Sequence, residues 1–354
     1  MTDNPSPPAG RGVRPPTLAD VAEAAGVSLI TASRILNPGV RGTRSGSQER
    51  RRKVQDAAQA LGYTVNPAAQ TIAVGAARTI ALIVTDIRDF GSATIMAGVM
   101  AAAESRGMSV AVRTTHDDPV RELEIVRALR GERHRGVIIA TSRTTDEPRE
   151  SRFRQELSSL EDSGARVVVI GDSTLPFARV TVDTESAAAE LATQLALTHH
   201  RIAILAGPEG EVTSLERVTG FEAGLAAAGL SPIAVMHGEF SRDGGYAAVY
   251  DLQARLADVD LVAAMSDAMA VGAIVALNEI GFRVPDEMTV SGFDNVPLLA
   301  DLLPGFSTVA MPLEQFGEAC LDRILEDASD RRNNETVRLR ADVIVRPKPH
   351  RSLP

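Results

Sequence analysis

The chain has 354 residues, a formal net charge of −9, 44% hydrophobic and 23% charged residues, values typical of a globular protein and not of a disordered or fibrous one. Its length allows two or three structural units. The single cysteine, Cys320, excludes an intrachain disulfide and is expected to be a buried apolar side chain. Because the first 16 residues lack a signal-peptide pattern and no later apolar run is long enough to span a bilayer, we expect a cytoplasmic protein with no membrane partner.

The charge is unevenly distributed along the chain. Residues 1–78 contain ten Arg or Lys and five Asp or Glu, whereas the remaining residues contain 27 and 41. This distribution is typical of a protein with a small basic domain, the head, that neutralises DNA phosphates and a large acidic domain, the body, that DNA repels. The basic run 50–53 by itself is equally consistent with a solvated helix face.

Residues 1–16 contain five prolines and are predicted to form a disordered arm. Two short amphipathic helices joined at a glycine follow. Thr17, with Asp20 three residues later, is expected to cap the first helix, Ser28 is expected to cap the second, and Asn37 marks its end. Two helices of about eight residues joined by about three match the helix-turn-helix, whose second helix enters the DNA major groove. The alternative is a helical hairpin that serves only for packing.

A third helix and a short helical segment complete the N-terminal part. Ser47 is expected to cap a helix that runs to about Leu61 and closes a three-helix head over residues 17–65. Asn66, followed by a proline, then begins a short helix within residues 66–78. Such a short helix is marginal by itself. The alternative is an ordinary interdomain linker.

From residue 79 onward, short apolar runs alternate with helical patterns of roughly 12 to 20 residues, which predicts an α/β body with doubly wound parallel sheets. The pattern restarts after Val182, so we expect two lobes. The predicted strands are Ile80–Val84, Val110–Val112, Val137–Ile139, Val167–Ile170, Ile202–Ala206, Leu261–Met265 and Thr289–Phe293. Predicted helices of the second lobe include Thr184–Thr198, Leu215–Ala228 and Ala268–Ile280.

Several stretches of the sequence resemble the lac-repressor family of bacterial transcription regulators. Residues 20–37 contain the family's Asp-Val-Ala, Ala-Gly-Val-Ser, Thr-x-Ser-Arg and Leu-Asn segments, with Ala32 as the only departure. The resemblance extends to about residue 347. Its further landmarks are residues 201–208, 216–221, 267–272, 281–285 and 291–294.

The resemblance implies an all-α helix-turn-helix head and a two-lobed α/β body, residues 79–354, like that of periplasmic sugar-binding proteins. Three strands would cross between the lobes. Lobe one would comprise about 79–180 and 311–335, and lobe two about 181–310 and 336–347. The implied function is that of a repressor that binds a palindromic operator in double-stranded DNA as a homodimer, controlled by a sugar or polyol in the interlobe cleft. A tetramer stays open as an alternative to the dimer, and no cofactor or metal is expected.

In the family, the second helix reads base edges and the hinge helix inserts an apolar side chain into the minor groove. Leu29 and Ile30 can contact a thymine methyl but cannot form a bidentate hydrogen bond, so Arg34 is expected to make the strongest base contact. Ile72 would be the minor-groove wedge, where the family usually has Leu. By position, the implied DNA contacts are Thr17, Ser28, Leu29, Ile30, Thr31, Ser33, Arg34, Asn37, Asn66, Ala69 and Ile72.

Ligands of open α/β sheets bind beyond the C-terminal ends of the strands, so polar residues that follow the apolar runs are the effector-site candidates. Carboxylates that each accept two hydroxyls, together with an arginine, suit a sugar or polyol. The candidates are Asp86, Arg88, Asp89, Ser92, Asp172, Arg217, Ser266 and Asp294. Of these, Arg217, Ser266 and Asp294 match cleft positions of the family. Asp183 and Asp267 are expected to cap helices instead.

An enzyme is the main rival class. The six histidines are scattered without metal-ligand spacing, and the sequence lacks a phosphate-binding Gly-Lys-Ser/Thr loop, a Gly-x-Ser-x-Gly elbow and a Gly-x-Gly-x-x-Gly fingerprint. His199 and His200 are expected at an exposed helix end. A secreted sugar receptor with the same two lobes would need an export signal in place of the basic head. The sequence therefore favours a regulator over an enzyme.

Overall fold

The computed structural model describes residues 14–36, 48–64, 77–326 and 336–347. It divides the chain into two compact units, with the boundary between Arg78 and Thr79. Several predictions lie outside the described residues, namely the arm before residue 14, the cap Ser47, and the DNA contacts Asn37, Asn66, Ala69 and Ile72.

The described part of the first unit contains three helices that pack pairwise, α1 (Leu18–Ala24), α2 (Leu29–Leu36) and α3 (Gln48–Leu61). The predicted cap of α1 is confirmed, since the Asp20 carboxylate accepts the backbone N–H of Thr17 at 2.7 Å and the Thr17 hydroxyl accepts the N–H of Asp20. Gly26, at a φ of +64°, makes the turn to α2, a conformation that favours glycine. The buried core of this unit consists of Val21, Ala22, Ala32, Ile35, Val54 and Ala58.

The second unit contains two α/β lobes joined by crossing segments. The first pass through lobe one comprises β1 (Thr79–Val84), α4 (Phe90–Ser105), β2 (Ser109–Thr114), α5 (Pro119–Leu129), β3 (Gly136–Ala140), α6 (Glu147–Asp162), β4 (Arg166–Ile170) and β5 (Ala178–Val182). Lobe two comprises α7 (Thr184–Leu195), β6 (Ile202–Ala206), α8 (Val212–Ala227), β7 (Ala234–His237), α9 (Arg242–Asp251), a 3-10 helix (Gln253–Asp258), β8 (Leu261–Ala264), α10 (Asp267–Ile280), β9 (Thr289–Ser291), α11 (Pro297–Leu302) and β10 (Thr308–Ala310). The chain then returns through α12 (Leu313–Leu325), β11 (Thr336–Leu339) and β12 (Asp342–Ile344).

Both sheets are parallel and doubly wound. Lobe one has the strand order β11-β5-β4-β3-β1-β2, and lobe two has the order β7-β6-β8-β9. In each sheet the first strand in the chain lies between its two successors, so the winding direction reverses between β1 and β3 and between β6 and β8. Apolar clusters cover both faces of each sheet. The reversal points are where ligands of such sheets bind.

The prediction that residues 336–347 belong to lobe two was wrong for Thr336–Leu339, the first strand of this range. β11 pairs with β5 at the edge of the lobe-one sheet, Val337 opposite Val180, and only β12 pairs with β10 of lobe two. A parallel partner satisfies the hydrogen-bonding groups at the edge of β5 and buries part of Val337 and Leu339 in the lobe-one core. The last crossing between the lobes therefore lies between Leu339 and Asp342.

Other local predictions had mixed outcomes. Cys320 is buried and Asp183 caps α7, as predicted. His199 is not exposed, because its ring packs inside lobe two within 3.0 Å of the Thr289 hydroxyl. Strands β5 and β7 were not predicted, since polar residues such as Arg179 interrupt the former and the latter is short. Within the described part of the chain, no helix is both long and apolar enough to cross a membrane.

Close helix packing in lobe two depends on glycine. α7 and α8 approach so closely that a Cβ at Gly220 would overlap the backbone carbonyl of Glu185, and one at Gly224 would overlap that of Ala189. The contact fixes the position of α8, whose first turns carry side chains at the end of the sheet. A substitution at Gly220 would therefore displace those side chains.

Candidate functional site

The second helix of the head has an exposed, partly apolar start. Leu29 and Ile30 are 52% and 64% exposed, whereas Ala32 and Ile35 are buried. Arg34 is exposed on the same helix. An exposed apolar pair and an arginine can contact a thymine methyl and a guanine edge, respectively.

The remaining described candidates of the head, apart from Ser33 in the middle of α2, lie around the helix starts. Ser28 caps α2, since its hydroxyl accepts the N–H of Thr31 at 3.2 Å, and the two hydroxyls are 2.8 Å apart. Ser33 is half-buried and Thr17 is exposed beside the start of α1. Exposed hydroxyls and backbone N–H groups at helix starts are common phosphate contacts.

In the second unit, the loop after β3 contacts the loop after β6. The N–H of Val212 donates to the carbonyl of Arg143 at 2.9 Å, and the N–H of Thr145 donates to the carbonyl of Gly210 at 2.8 Å. Thr144 and Glu211 form an antiparallel bridge. The two lobes are thus joined at the C-terminal ends of their sheets, with the reversal points facing the cleft between them.

A buried ionic network positions the lobe-one loop of this contact. Arg143, whose side chain is 3% exposed, donates to Glu122 and to the Thr141 hydroxyl, lies 3.6 Å from Glu150 and stacks on the ring of Phe153. The Thr141 hydroxyl donates to Glu122 at 2.6 Å. Two acids around one arginine hold the loop in a defined conformation.

The lobe-one wall begins directly after β1. Arg88 forms a bidentate pair with Asp86, and this guanidinium lowers the pKa of the carboxyl to about 2. Asp89 caps α4 by accepting the N–H of Ser92 at 2.8 Å, and Ser92 itself is buried. Arg88 and Asp86 therefore neutralise each other, and Asp89 keeps one carboxylate oxygen for other partners.

The lobe-two wall is built around Arg217 of α8. Its guanidinium donates to Asp294 at 3.1 Å and to the backbone carbonyl of Met265, and it lies over the Phe293 ring at 4.1 Å. Burial raises the pKa of Asp294 to about 7; Arg217 opposes this shift, and the carboxylates of Asp267 and Asp89 add to it. Since Asp89 belongs to lobe one, Asp294 lies where the two walls approach each other.

Left-handed backbone also marks the cleft edges. Among the described residues, the non-glycine residues with positive φ are His116, Asp117, Asp294 and Asn295, at φ values of 55°, 58°, 118° and 60°. The first two follow β2 in lobe one and the others follow β9 in lobe two. Such strained conformations cluster at functional sites, where they orient side chains.

Two sequence families match this chain. Residues 17–66 match "Bacterial regulatory proteins, lacI family", and residues 191–347 match "Periplasmic binding protein-like domain". The chain is 32% identical over 334 residues to the HTH-type transcriptional regulator CelR of Thermobifida fusca. The aligned residues cover 92% of this chain and 95% of CelR. The chain belongs to the lacI family of bacterial regulatory proteins.

Other members of the lacI family agree in fold and in length. Catabolite control protein A of Priestia megaterium is 27% identical over 95% of this chain and 97% of its own length. The lac repressor dimer bound to operator and the anti-inducer ONPF has a TM-score of 0.80 at 25% identity, covering 94% of this chain and 98% of that one. A CelR–cellobiose complex has a TM-score of 0.66 at 28% identity, covering 94% and 99%. The predicted fold is confirmed, and this lacI-family member is a DNA-binding transcription regulator.

The predicted effector candidates of the lacI-family body differ in their surroundings. Arg217 and Asp294 form one ion pair, and Asp89 lies close to it. Asp172 is hydrogen-bonded to Glu216 across the cleft. Ser266 caps α10 by accepting the N–H of Met269 at 3.1 Å.

The prediction that Asp267 caps a helix was wrong. Ser266 occupies the cap position, and the fully buried Asp267 carboxylate accepts the N–H of Val296 at 2.6 Å and the Thr308 hydroxyl at 3.1 Å. Asp267 thereby anchors the loop that carries Asp294. In the sequence, Ser266 and Asp267 both precede a helical run and either could cap it. Only the packing shows that Ser266 caps the helix and that Asp267 anchors the loop.

Sequence reasoning missed four acids of the cleft, Asp117, Glu211, Glu216 and Glu239. Burial raises the pKa of Glu211 to about 7, and the carboxylates of Asp117 and Glu239 add to this shift. Asp117 follows β2, so the rule applied to the other strands would have found it. Glu239 follows β7, which was not predicted as a strand.

Proposed function

We propose that this protein is a cytoplasmic repressor that binds a palindromic operator as a homodimer and responds to a small polar effector, a sugar or polyol, in the interlobe cleft. The observation that carries the proposal is the Arg217–Asp294 pair at the lobe-two reversal point, with Asp89 of lobe one beside it. Carboxylates and a guanidinium in a cleft accept from and donate to vicinal hydroxyls. The complexes of CelR with cellobiose and of the lac repressor dimer with operator support the proposal.

The head supplies the proposed DNA interface. We assign base contacts to Leu29, Ile30 and Arg34 from their exposure, and backbone contacts to Thr17, Ser28 and Thr31 from their position at helix starts. Ser33, in the middle of α2, is a proposed DNA contact from the sequence resemblance. Asn37, Asn66, Ala69 and Ile72 are proposed DNA contacts from the sequence resemblance alone. The excess of basic residues in 1–78 favours attraction to phosphates.

The proposed control depends on lobe angle. Asp294 and Arg217 belong to lobe two and Asp89 to lobe one, so a ligand that contacts all three binds tightly only at one relative orientation of the lobes. β1 begins at Thr79, immediately after the predicted hinge, so a change of lobe angle would alter the spacing of two hinges in a dimer. Coupling of this kind is typically worth about 1–3 kcal/mol.

Two measurements test the proposal. Selection of binding sites from random DNA, followed by fluorescence anisotropy, is expected to yield a palindromic operator bound much more tightly than random sequence. Ultracentrifugation is expected to show at least a dimer, and it distinguishes the dimer from the tetramer. A thermal-shift screen of sugars and polyols then supplies a ligand whose effect on operator affinity is measured. A protein that bound all DNA equally, or whose cleft ligand left operator affinity unchanged, would contradict the proposal.

A further inference from the structure

The facing walls of the cleft carry more acidic than basic side chains. Lobe one contributes Asp89, Asp117 and Asp172, and lobe two contributes Glu211, Glu216, Glu239 and Asp294. The cations that act on these acids are Arg149, Arg179 and Arg217; Arg217 is already paired with Asp294, and Arg179 lies 3.8 Å from Asp172. A neutral ligand would leave most of this negative charge uncompensated.

The acids approach each other across the cleft. Glu216 of lobe two is hydrogen-bonded to Asp172 of lobe one, and burial together with the charge of Asp172 raises the pKa of Glu216 to about 8. Two carboxyls share a hydrogen bond only when one of them holds a proton. Glu211 lies against the Ser142 hydroxyl of lobe one and within the field of Asp117, and burial raises the pKa of Asp117 as well. The pairing of the loops after β3 and β6 thus brings like charges together.

Closure of the lobes must therefore be accompanied by uptake of positive charge. The backbone hydrogen bonds that join Arg143 to Val212 and Thr145 to Gly210 hold the acidic walls together. Two negative charges at hydrogen-bonding distance, as at Glu216 and Asp172, repel each other in a half-buried site. Either protons or a cationic ligand can offset the repulsion, and a ligand that does so gains affinity from every acid it neutralises.

A second, independent observation points to a ligand at the same place. Arg217 has a side chain only 9% exposed, and its Nε lacks a hydrogen-bond partner. Ser214 is 2% exposed, and its hydroxyl also lacks one. The two residues lie three apart in α8 and therefore share one face of the helix. Buried polar groups are rarely left unpaired, and these two can be satisfied by the hydroxyls of a ligand beside Asp294.

We infer that the effector of this protein carries a cationic amino group in addition to hydroxyls, as in an amino sugar or an amino polyol. The inference rests on the proposed function, which places a polar effector in this cleft. Hydroxyls would pair with Arg217, Ser214 and Asp294, and the ammonium group would lie among Glu211, Asp117 and Glu239. Among the described residues, no three acidic, histidine or cysteine side chains are arranged to hold a metal ion, so an extended organic cation fits better than a metal.

The test compares matched neutral and amino ligands by titration calorimetry on the full-length protein. The pairs are glucose with glucosamine, galactose with galactosamine, sorbitol with glucamine, and cellobiose with the chitosan disaccharide. At pH 7 and low salt, at least one amino member is expected to bind at least about tenfold more tightly than its neutral partner. Its binding should release protons, because an ammonium group beside Glu211 lowers the pKa of this carboxyl, which burial raises to about 7 in the free protein. The neutral partner should release none.

A pair of variants locates the effect. Glu211→Gln is expected to reduce the preference for the amino member to less than about threefold, while Glu209→Gln, an exposed position on the same loop, retains it. Equal or tighter binding of the neutral members would overturn the inference, and so would the absence of binding by every amino member. If a neutral member binds and Asp294→Ala abolishes that binding, the proposed function stands while the cationic effector is rejected.

Discussion

The substitution Asp294→Ala is the most direct test of the cleft. Asp294 is the carboxyl acceptor beside Arg217, and the two side chains are 17% and 9% exposed. Without Asp294 the guanidinium keeps the Met265 carbonyl and the Phe293 ring, so Arg217 stays in place. The variant therefore removes one ligand contact from a wall that is otherwise retained.

The expected magnitude follows from the lost contact. A hydrogen bond to a charged group is worth about 1.5–3 kcal/mol, so effector affinity should fall about 10-fold to 150-fold. In the wild type the effector is expected to change operator affinity by roughly 5-fold to 150-fold in one direction. At the same effector concentration the variant should show a change of less than about twofold, while operator affinity without effector stays at the wild-type value.

Stability provides the internal control. Burial raises the pKa of Asp294 to about 7 despite Arg217, so the ionised carboxyl is not a net source of stability at pH 8. The variant leaves the Arg217 guanidinium, 9% exposed, without its anionic partner, but it also removes a carboxyl whose ionisation burial disfavours. Because these effects oppose each other, we expect the unfolding free energy to change by no more than about 2 kcal/mol, or about 4–8 °C in unfolding temperature. Because the folded chain retains this proton up to higher pH than the unfolded chain, the group lowers stability as the pH rises from about 4 to about 7. The unfolding free energy of the Asp294→Ala variant should lack this decrease between about pH 4 and pH 7.

The assay is fluorescence anisotropy of labelled operator DNA, titrated with protein at several concentrations of the ligand found by the thermal-shift screen. Asp301→Ala is the matched control, since Asp301 is an exposed acid on α11 in the same lobe. It should respond like the wild type. A folded Asp294→Ala protein with normal effector affinity and a normal response would refute the placement of the site at Arg217 and Asp294.

Three further outcomes are expected. Arg34→Ala should weaken operator binding by about 1–3 kcal/mol and relax one base position per half-site in anisotropy measurements, whereas an equal loss on random DNA would make Arg34 a phosphate contact. Ile72→Ala should reduce operator bending in a gel-shift bending assay and leave effector affinity unchanged, and unaltered bending would count against a minor-groove wedge. Glu122→Gln should cost about 2–3 kcal/mol in urea unfolding, because Arg143, 3% exposed, loses one of its two anionic partners; a stability equal to that of the wild type would show that Glu150 alone balances Arg143.

Local sequence patterns were sufficient for the head and for most of the α/β body. Thr17 and Asp20 predicted a capping box because the interaction spans only three residues, and continuous runs such as Ile80–Val84 predicted buried strands because both faces of a parallel sheet are covered. The rule that ligands bind beyond strand ends selected Asp89 and Asp294 before any contact was known. The rule does not predict that Asp89 and Asp294 lie close together, because their proximity depends on how the two lobes face each other.

Tertiary structure decided the features that join distant parts of the chain. Thr336–Leu339 joined the lobe-one sheet because the edge of β5 offered a partner, and nothing in its own sequence distinguishes the two lobes. Asp267 became a buried anchor because Val296 and Thr308 pack against it. Carboxyl pKa values depend on burial and on neighbours that are far away in sequence, so the coupling of Glu216 to Asp172 could only emerge once α8 lay opposite the loop after β4.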